Sequence, residues 1–375
     1  MTNINTGLYE IPVLPLNIDL ETKKILKQQN LASRALAELK GVAKTIPNEQ
    51  ILLNTLILQE AKDSSEIENI VTTQDDLFKT DLNMKEIEQT AKRIAAKEVL
   101  RYRQAMQLGF SKVRKAKLLT NSIIKEIQQE LEQNKAGFRT LPGTHLENNV
   151  GETVYTPPQT LQEIEKYMGN LEKFINDSSL SELDPLVKLA IIHHQFESIH
   201  PFYDGNGRTG RIISVLYLVV NDLLDLPILY LSRYITHNKI EYYSLIQKIR
   251  DNSGNNNADW ENWVFFILKG IEETAKQTVE LVQQIKFLMD EYKGKIRDAF
   301  GTKYNHELLN NLFNHPYTKI EFIQNDLNVS RFTASKYLDL IVELKLLSKI
   351  KIGTSNYYIN DRLVELLMNQ GTLHG

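Results

Sequence analysis

Residues 200–211 read His-Pro-Phe-Tyr-Asp-Gly-Asn-Gly-Arg-Thr-Gly-Arg, and apolar runs that read as helices flank them over residues 184–199 and 212–224. This stretch constrains the fold more than any other, because two helices must meet at a loop crowded with glycine and charge. Pro201 breaks the first run, since proline has no N–H to give a helix. The glycines let backbone and ligand approach closely, with amides free to point inward. A helix starting near Asn206 adds a positive dipole end to those amides. The expected product is an anion pocket suited to a polyphosphate.

The side chains extend that expectation. Arg208 and Arg211 are three apart and share a helix face, and their guanidinium forks suit phosphate oxygens. Asp204 is suited to Mg²⁺, which needs only one or two carboxylates besides phosphates. His200, at the other lip, is placed to act as general base toward an attacking hydroxyl. The chemistry implied is phosphoryl or nucleotidyl transfer to a hydroxyl. Other readings fit less well. His193, His194 and His200 lack the spacing of a helical metal pair and His193 and His194 read as ordinary helix residues. Val215 stands where a calcium loop needs its twelfth-position glutamate. A purely structural turn explains the glycines and Pro201, but not a histidine, an aspartate and two arginines together.

The stretch resembles the Fic family motif, His-Pro-Phe-x-Asp-Gly-Asn-Gly-Arg-x-x-Arg, at every fixed position. The resemblance implies transfer of AMP from ATP to a hydroxyl side chain of a target protein. By the same resemblance His200 is the base and Asp204 holds Mg²⁺. Gly205, Asn206 and Gly207 cradle phosphates, Arg208 contacts them, and Arg211 holds the γ-phosphate. Upstream, Ser64, Glu68 and Asn69 match the inhibitory motif of many Fic proteins, a Ser or Thr, three residues, Glu, then Gly or Asn. On local pattern alone, Asp63 or Ser64 reads as a helix N-cap with acids in the first turn. The resemblance makes it a brake, in which Glu68 pairs with Arg211 and keeps ATP out of line for attack. Glu68 is also the residue that would orient water in an enzyme removing AMP.

Read in order, residues 11–15 form an extended arm lying on the body of the protein. Residues 21–42 read as a helix with Leu31, Ala35, Leu36 and Leu39 on one face. Residues 47–61 read as an apolar helix with Pro47 at its start. Residues 75–110 and 118–133 read as helical, the second opened by Thr120 or Asn121. Gly137, Phe138 and Arg139 resemble the start of the loop before the Fic flap. Residues 151–158 are a short β segment, by analogy a flap on which Val154, Tyr155 and Thr156 dock the target's extended chain. The tyrosines of residues 227–250 read as core. Residues 260–268 read as a buried helix and 272–299 as a long amphipathic connector. Residues 317–327 and 331–347 read as two helices, and 348–359 as two strands around Gly353 and Thr354, a winged helix-turn-helix.

The fold expected is therefore mainly α, a Fic helical core with a small β-hairpin flap and a C-terminal winged helix-turn-helix. The division expected is 1–96 regulatory, 97–257 catalytic, 258–300 connector and 301–375 winged helix. The second helix of the last unit carries Arg331, Thr333, Ser335 and Lys336 toward a DNA groove. From Glu307 onward, however, acidic and basic residues are equal in number, whereas DNA readers concentrate basic charge. Protein contact or homodimer formation is the favoured use, with DNA left open. The chain has no cysteine and a net charge of −3, which excludes disulfides and thiol catalysis and any global pull toward nucleic acid or anionic membrane. With no signal peptide or apolar spanning run in view, the expected setting is cytoplasmic. The function expected is a protein adenylyltransferase, with AMP removal through Glu68 and a nucleotide-responsive DNA-binding regulator as alternatives.

Overall fold

The structure is a computed structural model that describes residues 9–81, 91–148, 150–254, 256–352 and 355–368. The extended arm lies on the body: Ile11 and Leu14 are buried. Gln195 donates to the Pro12 carbonyl at 2.7 Å, and the Asn170 side chain pairs with both the N–H and the carbonyl of Leu14. Helix α1 (Lys23–Ala43) is capped by Thr22 and buries Ile25, Ala32, Ala35, Leu36 and Leu39. Leu31, expected on that face, is exposed, because the buried stripe passes through Ala32 instead.

Helix α2 (Glu49–Ile67) starts after an Asn48 cap, leaving Pro47 outside it. It continues unbroken past Ala61 to Ile67. The N-cap reading of Asp63 and Ser64 is therefore corrected: both are interior, and Glu68 is the residue that ends the helix. No breaker separates residues 61–67, and Ser64, Ser65 and Ile67 are buried against the body. Helices α3 (Gln74–Asp81) and α4 (Ala91–Ala116) follow; residues 82–90 of the helical stretch expected over 75–110 lie outside the described residues. Thr120 caps α5 (Asn121–Glu132). Strands β1 (Leu146–Glu147) and β2 (Thr153–Tyr155) pair antiparallel, and α6 (Leu161–Asn176) opens with a Thr160–Glu163 capping box.

Helices α7 (Pro185–Ile199) and α8 (Asn206–Val220) form the centre and pack on each other. Both are buried along nearly their whole length, as helices apolar on every side must be. Helices α9 (Leu231–His237) and α10 (Lys239–Asp251) close one side. The expected core helix and connector are one element, α11 (Asn257–Phe300), of 44 residues. Gly270 does not break it: a Cβ there would meet Tyr234 Cδ1 at 2.6 Å, so the glycine admits α9. α11 packs against α1, α7, α9 and α10 and continues to the C-terminal unit.

That unit comprises α12 (His306–Asn314), β3 (Tyr317–Lys319), α13 (Ile320–Leu327), α14 (Arg331–Glu343), β4 (Ser348–Ile352), β5 (Ser355–Ile359) and α15 (Asp361–Met368). The helix expected from residue 317 begins as a strand, because Tyr317 and Thr318 are buried and pair with β5. The sheet order is β3–β5–β4. Two helices, a turn and an antiparallel pair follow one another as expected; Gly353 and Thr354 lie outside the described residues. Arg331 and Lys336 are exposed at the start of α14, Lys336 lying over the exposed Phe332 ring, while Thr333 and Ser335 bond within their own helix. The unit meets the rest through α12 on α2 and through Tyr317 stacked on Phe78 of α3 at 5.3 Å. Among the described residues no helix is long and apolar enough to cross a membrane.

Candidate active site

His200 ends α7 with φ 47°, a left-handed backbone that a non-glycine residue holds only where its surroundings impose it. Its N–H donates to the Phe196 carbonyl, and its own carbonyl accepts from Arg139 Nε at 2.8 Å. Arg139 also donates to the Pro158 carbonyl, tying the flap's far end to the same point. The Asn206 side chain accepts from the Phe202 N–H and donates to its carbonyl, both at 2.8 Å. Asn206 thus locks the loop with its side chain, and only its backbone N–H is left to face an anion. Gly205, at φ 76°, precedes α8, and no side chain caps that helix. The first amides of α8 are consequently free for an anion. Asp204 is exposed, with Oδ1 accepting the Gly205 N–H at 2.7 Å.

Arg211 lies one turn into α8 and is 2% exposed. Three contacts from the end of α2 hold it. Nε donates to Ser64 Oγ at 2.7 Å, and Nη2 to the Ser64 carbonyl at 3.0 Å and to Glu68 Oε1 at 2.7 Å. The Glu68 carboxylate also lies against Gly207, in the space a Cβ would fill. Burial works to raise the Glu68 pKa, but Arg211 outweighs it and the carboxyl stays below its usual range. Asn69 follows with φ 62°, a left-handed conformation that Gly and Asn adopt at least cost, which suits a Gly or Asn there. Lys239 Nζ donates to the Ile67 carbonyl at 2.5 Å and helps close the helix end.

Arg208 is engaged from another side. Its Nη2 donates to Glu132 Oε1 at 2.8 Å, and Glu98 Oε2 lies 3.6 Å from Nη1. Burial, opposed by Arg208, raises the Glu132 pKa. Burial pushes His200 down to about 4, helped by Arg250 and Arg139 against the pull of Glu68. Its imidazole is therefore neutral at pH 7 and able to accept a proton. Glu197, a turn earlier, is pushed up to about 7 by burial. His193 contacts Ser214 Oγ and Tyr242 Oη and stacks on Trp263, and burial drives its pKa down to about 3. His194 packs edge-on against Trp260. Both are core side chains.

The flap residues divide. Val154 and Thr156 are exposed, but Tyr155 is buried. The Tyr155 hydroxyl donates to the Ser198 carbonyl at 2.8 Å, and the Arg250 guanidinium lies 4.0 Å over its ring. Arg250 also bonds Ser198 Oγ and the Glu197 carbonyl. Tyr155 therefore anchors the flap to the end of α7 through its side chain, and its part in docking a target falls to its backbone. Alternation in so short a strand could not reveal which side faces in. The sequence reading likewise missed Glu98, Glu132 and Arg250. Their only local signal is charge on a helix, which usually marks a solvated face. The loop residues, Ser64, Glu68 and Asn69 are brought together at one site; Arg331, Thr333, Ser335 and Lys336 are on a separate unit.

The Fic/DOC family profile matches residues 118–218, the Fic/DOC N-terminal profile residues 26–111, and that of the C-terminal domain of SoFic-like protein adenylyltransferases residues 288–363. A probable protein adenylyltransferase of Aquifex aeolicus (strain VF5) is 39% identical over 82 residues, 22% of this chain and 23% of that protein. Protein adenylyltransferase Fic of Drosophila erecta is 30% identical over 129 residues, 32% of this chain and 23% of that protein. The first-ranked curated relatives are spanned over only 10% to 57% of their own length. The crystal structure of a Fic family protein from Desulfovibrio desulfuricans G20 superposes with a TM-score of 0.58 at 18% identity, covering 90% of this chain and 96% of that one. At that identity the likeness is one of fold.

Proposed function

The chain is a Fic/DOC family protein with that family's N-terminal domain and a SoFic-like C-terminal domain, and on that premise we propose that it is a protein adenylyltransferase held off by Glu68. The observation that carries the reading is the grip of Ser64 and Glu68 on Arg211, across the same loop whose lip holds a neutral His200. ATP is the donor, and its phosphates pass over Gly205 to take the amides of Asn206 and Gly207 and the forks of Arg208 and Arg211. A hydroxyl of a target protein docks beside the exposed flap residues Val154 and Thr156. His200 takes the hydroxyl proton as the oxygen attacks the α-phosphorus. The bond to the β-phosphate oxygen breaks, pyrophosphate leaves, and AMP remains on the target. Arg208 and the loop amides stabilise charge developing on the transferred group, where most such catalysis arises.

Mg²⁺ suits Asp204. That carboxylate is exposed, forms no ion pair among the described residues, and commits Oδ1 to the Gly205 N–H, leaving an oxygen for a cation beside the phosphates. When bound, Mg²⁺ neutralises phosphate charge and eases departure of pyrophosphate. Glu68 acts by standing where the γ-phosphate belongs. Its carboxylate satisfies Arg211 in a largely dry site, so a nucleotide that binds must do so with its phosphates displaced, and a misplacement of about 1 Å costs on the order of a hundredfold in rate.

The test uses ATP labelled at the α-phosphate with Mg²⁺, and compares wild type, Glu68→Gly, and Glu68→Gly with His200→Ala. Strong labelling of protein by Glu68→Gly alone, about a hundredfold above wild type, is the expected result. Equal silence in both variants, with labelled ATP bound, overturns the brake; AMP removal that requires Glu68 would then be the activity to measure.

A further inference from the structure

Glu132 packs its side chain against the loop in a way that neither the motif nor the brake accounts for. It is the last residue of α5, its side chain is 13% exposed, and it reaches Arg208 Nη2 at 2.8 Å. The same carboxylate lies against Gly205, its Cδ and Cγ each 3.0 Å from where a Cβ would stand and its Oε1 closer still. Glu68 does the same one step along the loop, lying against Gly207 while holding Arg211. Each arginine and each glycine of the anion loop thus carries a carboxylate. The two carboxylates come from helices on different sides, α2 and α5.

We propose that Glu132 is a second internal stand-in for phosphate, which competes for Arg208 and sets how tightly the loop takes a polyphosphate. This rests on the reading of residues 204–211 as a phosphate cradle. Three observations separate it from a simple brace. Glu132 fills the glycine space that an approaching phosphate needs. Glu98 already lies 3.6 Å from the other Arg208 nitrogen, so Arg208 keeps a counter-charge after Glu132 leaves. Arg101, on α4 one turn from Glu98, favours the Glu132 carboxylate electrostatically, while Asp204 and Glu98 oppose it, so the carboxylate is held in place chiefly by Arg208. A phosphate entering at Gly205 therefore displaces Glu132, whereas Glu68, at the end of another helix, is displaced from Gly207. Release of the Glu68 arm alone leaves the second arm in place.

The experiment titrates inorganic tripolyphosphate into Glu68→Gly and into Glu68→Gly with Glu132→Gln, reading affinity by calorimetry. The Gln variant is expected to bind about tenfold tighter, the scale of one charged contact. In an Arg208→Ala background the same change should gain less than about twofold, because the contested arginine is gone. Glu132→Asp, which is too short to reach both Arg208 and Gly205, should give an intermediate gain and guards against misfolding of the Gln variant. Unchanged or weaker binding in both Glu132 variants overturns the proposal, as does an equal gain without Arg208. Labelling from α-labelled ATP is read on the same variants. A tripolyphosphate gain without AMP transfer would sink the enzymatic reading and leave Glu132 standing; transfer without the gain would do the reverse.

Discussion

At the scale of single residues, the site works by charges kept out of their usual state. His200 is held neutral, with a ring nitrogen open to a proton, because burial and two arginines push its pKa down to about 4. An ordinary histidine near 6.5 would be about 90% charged at pH 5.5. The His200 imidazole signal in a histidine NMR titration, identified by its loss in His200→Ala, should therefore stay neutral from pH 8 to 5.5 and move only near 4. Glu68 raises the His200 pKa, so Glu68→Gly should shift the midpoint lower still. A midpoint above 6 would show that burial and the two arginines do not hold the imidazole neutral through this range. Arg211 is the complementary case. It is buried and cationic, and its charge is met by Glu68 with two further bonds to Ser64. The pair thus sets a carboxylate against Gly207 and Arg211, where the proposed function puts a phosphate.

At the scale of elements, the hold of Ser64 and Glu68 on Arg211 is only as firm as the seating of α2. A turn and more before Ser64, Glu60 is 1% exposed. It accepts from the Ser232 N–H at 3.1 Å, from the Ser232 hydroxyl, and from the Tyr102 hydroxyl at 3.1 Å, tying α2 to α9 and α4. Burial raises its pKa to about 8 from an ordinary 4.5. The folded protein therefore keeps this proton while the unfolded chain loses it, and stability contributed by Glu60 falls as pH rises from 4.5 to 8. Glu60→Gln cannot ionise. Relative to wild type it should gain stability across that window, by about 1 kcal/mol per pH unit, and level off above pH 8. Urea unfolding at pH 5, 6.5 and 8 checks this; a difference that does not change with pH would show that Glu60 is ionised in the folded protein. The flap is seated by the same kind of contact, with Tyr155 under Arg250 and on the Ser198 carbonyl.

At the scale of the whole molecule, α11 and α2 are shared between parts. α11 places Trp263 Nε1 on the Ala190 carbonyl of α7, and Tyr292 Oη on the Leu346 carbonyl and Asn360 of the C-terminal unit. α2 carries Ser64 at its far end, with Glu68 as its cap, and touches α12 of that unit. The buried apolar residues form one continuous cluster from Ile11 to Leu367. Calorimetry should show a single transition whose van't Hoff and calorimetric enthalpies agree. Two separated transitions would mean that the C-terminal unit melts independently, despite Phe78 stacked on Tyr317.

What this sequence determined by itself is local. The loop of residues 200–211 carries its chemistry in twelve adjacent positions. Pro201, the Thr120 cap and the Asp184–Pro185 start of α7 mark helix ends through bonds within a turn or two. Glu68 was legible only through a resemblance, because its partner Arg211 is 143 positions away. Tertiary structure decided the rest. It continued α2 through a segment that reads locally as a helix start, where Ser64 and Ile67 are buried against the body. It joined two expected helices into α11, since Gly270 meets Tyr234 there and not water. It turned Tyr155 inward toward Arg250. It set Glu132 on Arg208 across 76 positions. A carboxylate on a helix surface has the same local pattern whether it faces solvent or an arginine, and only the packing of α5 against α8 tells the two apart.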